Sequence, residues 1–155
     1  MRITNALIFF ILLLPTLAFG QITVQDVGDG WKTKIDSAIE LIKKTDTNSY
    51  QILIENCKDV EFIIGKYSTT KPPYTIAITT KDMNLNSINN IAAVLVHESY
   101  HLFIYNNKIQ YSSINEEEAA CYEREYDFLC KLPDVEDWLF LNAMNNIILY
   151  RTPKR

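Results

Sequence analysis

Three features are missing from this 155-residue chain, and each absence excludes a class of protein. The sequence has no cluster of lysine and arginine and carries a formal net charge of −4, so neither nucleic acid nor an anionic membrane surface is an expected partner. It has no CxxC pair, which excludes a cysteine-rich zinc site. It has no long apolar run after residue 20, so the rest of the chain is expected to have no stable membrane anchor.

The first twenty residues have the pattern of a secretory signal peptide. They contain one positive charge at Arg2, an apolar run over residues 6–17, and the small residues Ala18 and Gly20 before the expected cleavage position. The apolar run is too short and wrongly flanked for a transmembrane helix. We therefore expect residues 1–20 to be removed and the mature protein, which would begin at Gln21, to be secreted or periplasmic.

Cysteine is scarce, with only Cys57, Cys121 and Cys130 in the chain. Cys121 and Cys130 are nine residues apart on one predicted helix, which separates them by about 13 Å along the helix axis. A disulfide tolerates about 7 Å between alpha carbons, so these two residues cannot pair with each other. Two alternatives stay open: a disulfide from Cys57 to one of them, or three reduced cysteines.

The hydrophobic pattern predicts strands early in the mature chain and helices later. Residues 50–57 fit either a helical turn or a strand, and Ser87 is the predicted N-cap of a long helix. The other predicted elements are a helix over 32–44, strands over 60–67 and 74–80, and helices over 88–106, 115–131 and 135–149. We therefore predict a single α+β domain over residues 21–155.

Both histidines of the chain lie in the segment VLVHESYHLFI, residues 94–104. His97 and His101 are four residues apart, so on a helix their imidazoles project from one side and can both reach a Zn²⁺ ion at about 2.1 Å. Glu98 lies beside this position and is the predicted general base and acid of a hydrolytic reaction. The alternative is a pair of hydrogen-bonded histidines on a partly buried helix, but burying ionisable groups without a partner is costly.

Zinc in a hydrolytic site usually has three protein ligands and one water. Since no further histidine exists, a carboxylate from the next helix, NEEEAACYEREYDFL, is the natural third ligand. Helical geometry predicts that Glu116 points toward the histidine helix, while Glu117 and Glu118 are rotated from it by about 100° and 200°. We therefore predict Glu116 as the third zinc ligand, with Glu117 as the alternative. At least one glutamate of the three is expected to be solvated at the helix N-terminus.

The HESYH motif followed by a helix with the pattern ExxAA resembles the gluzincin branch of the zincin metallopeptidases, between Leu95 and Glu123. The resemblance implies zinc bound by His97, His101 and Glu116. It also implies a zincin-like fold, in which the edge strand of a small early sheet receives an extended peptide by strand addition. We expect Thr75–Thr79 to be that strand. The histidine-rich third arm of the metzincins is excluded.

Two departures from the gluzincin pattern affect the expected function. Many relatives have an aspartate four residues after the ligand glutamate, where this chain has Ala120, so another group must orient the imidazoles. The usual oxyanion histidine is also missing. Tyr111 is a candidate to replace it, and the alternative is that Tyr111 is an ordinary packing residue. We expect a secreted zinc-dependent metallopeptidase acting on a peptide or protein substrate. The alternative is a catalytically silent, secreted zincin-like binding protein; the oligomeric state stays open.

Overall fold

The computed structural model describes residues 21–28, 30–84 and 87–152, so the predicted signal peptide lies outside the described residues. The described residues form an α+β structure, as predicted. The elements in chain order are β1 (Thr23–Val24), α1 (Trp31–Thr45), α2 (Thr47–Asn56), β2 (Asp59–Ile63), β3 (Thr69–Lys71), β4 (Thr75–Thr79), α3 (Thr80–Asn84), α4 (Ile88–Asn106), α5 (Ile114–Leu129) and α6 (Asp137–Arg151). Within these ranges no helix has the length and apolar character needed to cross a membrane.

The four strands form one mixed sheet in the order β1-β2-β4-β3. Strands β1, β2 and β4 are parallel, and β3 pairs antiparallel with β4. The expectation that Thr75–Thr79 forms the edge strand is therefore wrong. This strand is β4, which is paired on both sides and buries Ile76, Ala77 and Ile78 completely. The edge beside β4 is β3, whose short polar sequence TTK gives little indication of a strand.

Capping residues set the start of two helices. Asp46 is the N-cap of α2, and its carboxylate accepts hydrogen bonds from the backbone N–H groups of Asn48 and Ser49. The ambiguous segment 50–57 is therefore helical as far as Asn56. Ser87 caps α4 as predicted, because its Oγ accepts a hydrogen bond from the Asn90 backbone N–H.

Helix α4 lies at the centre of the structure. It packs against α1, α2, α3 and α5 and against strands β3 and β4. Leu95 and Leu102 are fully buried in the same core as Ile35, Ile78 and Phe128. Because α4 is covered on most sides, several of its polar residues are buried as well: Asn90, His97, Glu98 and Ser99.

The three cysteines are all free thiols. Cys57 and Cys121 are buried and Cys130 is exposed. The sequence left open a disulfide from Cys57 or three reduced cysteines, and the structure has three reduced cysteines.

Candidate metal centre

The two histidines lie side by side on α4, as their four-residue spacing predicts. Their ring centroids are 5.1 Å apart, and their side chains are 9% and 15% exposed for His97 and His101. Glu98 is buried next to them. All three side chains therefore belong to one small region at the seam between α4 and α5.

The carboxylate of Glu118 on α5 faces both imidazoles. Its Oε2 lies 3.6 Å from Nε2 of His97, and its Oε1 lies 3.6 Å from Nε2 of His101. These distances are too long for good hydrogen bonds. They are close to the spacing of about 3.4 Å between two nitrogen or oxygen donors that share a tetrahedral zinc ion at about 2.1 Å. Glu118 therefore presents one carboxylate oxygen to each Nε2 atom.

A second pair of carboxylates holds the other nitrogen of each ring. Nδ1 of His97 lies 3.2 Å from Oε2 of Glu125, and Nδ1 of His101 lies 2.9 Å from Oε1 of Glu117. An ionised carboxylate can only accept, so each Nδ1 donates a hydrogen bond when its partner is ionised. In the neutral imidazole this leaves the Nε2 lone pair free toward Glu118. Glu125 and Glu117 thus orient the rings. In many gluzincins an aspartate at the position of Ala120 has this role.

Glu116 does not join this cluster. Its side chain is exposed, its Oε2 accepts a hydrogen bond from the Ser112 backbone N–H, and its own N–H donates to Ser113 Oγ. This resembles a capping box, which satisfies free backbone donors at the start of α5. The expectation that Glu116 points inward and Glu118 points away is therefore corrected: Glu118 faces the histidines and Glu116 faces solvent.

The pattern of buried residues on α5 explains why the prediction of Glu116 was wrong and which sequence pattern would have predicted Glu118. The inward-facing side of the helix carries Cys121, Glu125 and Phe128, all buried. Glu118 precedes them by three, seven and ten residues, so it lies on the same side. Following this side of the helix back from Phe128 in steps of three and four residues leads to Glu125 and then to Glu118. This pattern in the sequence would have predicted Glu118, not Glu116, as the inward-facing glutamate.

The electrostatics of the cluster favour a cation. Burial lowers the pKa of His97, but the interactions with Glu118 and Glu125 outweigh it and leave the pKa raised. The two histidines in turn lower the pKa of Glu118. Burial raises the pKa of Glu98 despite the nearby imidazoles. Four carboxylates surround two imidazoles, and this excess of negative charge attracts a dication.

Cys121 and Tyr122 complete the surroundings of the rings. The Cys121 sulfur and one nitrogen from each histidine all lie within 4.8 Å of one another. Burial raises the pKa of the Cys121 thiol, and so do the negative charges of Glu118 and Glu117. The Tyr122 ring packs edge-on against His97 at a centroid distance of 4.3 Å and stacks on Tyr150.

Tyr111, the candidate oxyanion residue, lies in a different setting. It lines a groove of about 860 Å³ over the outer face of α5, together with Tyr100, Glu116 and Arg151. Burial and a hydrogen bond to Tyr100 raise its pKa to about 12. The histidines do not line this groove, so it is separate from the candidate metal centre.

Comparisons of the chain with protein-family models, with curated proteins and with solved structures found no match. The likeness to gluzincins therefore depends on sequence motifs alone, the HESYH segment and the ExxAA pattern of the next helix. The assignment of a function depends on the cluster between α4 and α5.

Proposed function

We propose that this protein is a zinc-dependent metallopeptidase in which His97, His101 and Glu118 bind the ion and Glu98 transfers the proton. The supporting observation is that both Nε2 atoms face the two oxygens of Glu118 at 3.6 Å, while separate carboxylates hold both Nδ1 atoms. The sequence supports export of the mature chain, since residues 1–20 have the signal-peptide pattern.

Two imidazoles and one carboxylate are the protein ligands of many hydrolytic zinc sites. Such a set leaves one coordination position open for water or substrate. Glu118 suits this role because its side chain is 27% exposed, so the region that it shares with the histidines is accessible from solvent. Glu125 and Glu117 strengthen the ligands by keeping both rings in one orientation.

Bound zinc would polarise the scissile carbonyl and make a water molecule more acidic. Glu98 then accepts a proton from this water as the water oxygen bonds to the carbonyl carbon. The same carboxylic acid returns the proton to the amine as the carbon–nitrogen bond breaks. Burial prepares Glu98 for both steps, because its raised pKa makes the carboxylate a stronger base than an exposed glutamate.

We propose β3 as the strand along which an extended peptide would bind. Among the described residues, β3 has β4 on one side and no strand on the other. Both β3 and β4 contact α4, the helix that carries the histidines. A peptide added to this edge by backbone hydrogen bonds would run along the strand that contacts α4.

Zinc content of the purified mature protein tests the ligand set. We expect about one zinc per chain in the wild type, in line with a single three-ligand site, and none in His101→Ala. Glu118→Gln should lose most of the zinc. Glu116→Gln is the matched control, because it alters an exposed glutamate two residues away and should retain the ion. Loss of zinc from Glu116→Gln but not from Glu118→Gln would make Glu116 the third ligand instead of Glu118. Absence of zinc from the wild type would overturn the proposed function.

Substitution of Glu98 separates catalysis from metal binding. Glu98→Gln should retain zinc and lose peptide cleavage by a factor of roughly 100 or more, since general base catalysis contributes about that much. A peptide library followed by mass spectrometry of the products measures the loss. If the zinc-loaded wild type cleaves no peptide in the library, the silent zincin-like binding protein becomes the better description.

A further inference from the structure

We propose that Cys121 is a sulfur ligand of the same metal ion, so that the centre has a preference for thiophilic dications such as Cd²⁺. This inference rests on the proposed metal centre and adds a donor that the HExxH motif does not supply. Cys121 follows Glu118 by three residues on α5, so the two side chains are neighbours on the helix surface.

The position of the thiol supports this assignment. Its sulfur lies within 4.8 Å of one nitrogen of His97 and one of His101. A sulfur at about 2.3 Å and a nitrogen at about 2.1 Å from one tetrahedral zinc ion are about 3.6 Å apart. Each sulfur–nitrogen separation therefore exceeds the spacing for a shared ion by about 1 Å at most.

The hydrogen bonding of the buried thiols gives a second, independent argument. Cys57 and Cys121 are both buried, but the Cys57 thiol donates a hydrogen bond to the Asp59 backbone oxygen at 3.4 Å. Within the ranges that the structure describes, the Cys121 thiol has no hydrogen-bond partner. It is completely buried and faces the only two histidines of the chain.

Coordination would convert the Cys121 thiol into a thiolate. The sulfur–hydrogen bond breaks, the proton is released to solvent, and a metal–sulfur bond forms without any change of oxidation state. With His97, His101 and Glu118 also bound, the ion would have four protein ligands. The water of the proposed hydrolysis would then have to displace the Cys121 sulfur or enter as a fifth ligand. A soft sulfur donor also shifts metal preference from zinc toward softer ions.

Cobalt substitution tests this inference with a readout that does not depend on activity. The mature protein loaded with Co²⁺ should show a thiolate-to-cobalt charge-transfer band in the near ultraviolet. Cys121→Ser should lose the band, whereas the matched controls Cys57→Ser and Cys130→Ser should keep it. Cobalt content is measured in every sample. In a Cd²⁺ and Zn²⁺ competition, the preference of the wild type for cadmium should exceed that of Cys121→Ser by about tenfold or more.

The outcomes distinguish the failure of this inference from the failure of the proposed function. Bound cobalt without the charge-transfer band, or a band that persists in Cys121→Ser, would exclude Cys121 and leave the His97, His101 and Glu118 centre intact. Absence of bound cobalt from the wild type would overturn both. If the serine variant fails to fold, the chemical shift of ¹¹³Cd bound to the wild type still decides, because sulfur ligation moves this resonance strongly downfield.

Discussion

Four glutamates surround the two histidines, and they have three different roles in the proposed centre. Glu118 faces both Nε2 atoms, Glu125 contacts only His97, and Glu117 contacts only His101. Glu98 is buried beside the rings on their own helix. Substitutions of these glutamates should therefore have separable effects on metal affinity and on turnover.

Glu125→Gln tests the orienting role. The amide retains the size of the carboxylate but loses its charge, so the imidazole of His97 becomes a weaker base and a less firmly held ligand. We expect the affinity for zinc to fall by about 10-fold or more. Competition with a chromophoric chelator measures this affinity. The control is Glu123→Gln on the outer face of α5, which should leave it unchanged; equal affinities in both variants would exclude an orienting role for Glu125.

The sequence predicts His97, Glu98 and His101 correctly as neighbours because four-residue spacing on one helix fixes their relative positions without knowledge of the fold. The partner carboxylates depend on how α5 is rotated against α4, which is a tertiary property. Because three consecutive residues, Glu116 to Glu118, are glutamates, each possible rotation of α5 would point one of them toward the histidines. Only the buried residues later in α5, such as Phe128, determine the side that faces α4.

At the level of elements, the start of α2 is tied to the end of α5. Asp46 caps α2, and its Oδ2 also accepts a hydrogen bond from the Lys131 ammonium at 2.7 Å. Burial raises the pKa of Asp46, but the hydrogen bonds from Lys131 and Ser49 outweigh it and leave the pKa below its usual value of 3.8. One carboxylate thus stabilises a helix start and a contact between distant parts of the chain.

Asp46→Ala should lower the free energy of unfolding by roughly 1–2 kcal/mol, because it removes a helix cap together with an ion pair. Urea denaturation at pH 7 measures the loss. Because folding lowers the pKa of this group, its contribution is present above pH 3.8 and is lost as the pH falls through the lower folded-state pKa. The difference between wild type and variant should therefore shrink in acid. Asp36→Ala, which removes an exposed ion pair with Lys32, should cost much less.

Most elements could be predicted from local patterns, but the order of the strands could not. The segment Thr75–Thr79 has the same appearance whether it lies at the edge or inside a sheet. Its partners are β2, a parallel neighbour earlier in the chain, and β3, which has only three polar residues. Pairing between strands depends on tertiary packing, which no local pattern encodes.

For the whole molecule, metal binding should increase stability. A ligand that binds only the folded state stabilises it by about 2.7 kcal/mol at a free concentration of 100 times its dissociation constant. We expect zinc to raise the melting temperature of the protein by several degrees over that measured in EDTA. Glu116→Gln should show the same increase, whereas Glu118→Gln should show little. Equal melting temperatures with and without zinc in the wild type would contradict binding to the folded state.

The candidate centre is built from two consecutive helices, and this has a consequence for how the chain folds. The contact between His101 and Glu117 spans 16 residues, and that between His97 and Glu125 spans 28. The parallel pairing of β1 with β2 closes a longer stretch of chain that contains both α1 and α2. Local helical contacts form faster than such distant strand pairings. We therefore expect the α4–α5 hairpin to be an early folding unit, which brings the metal-binding side chains together before the sheet is complete.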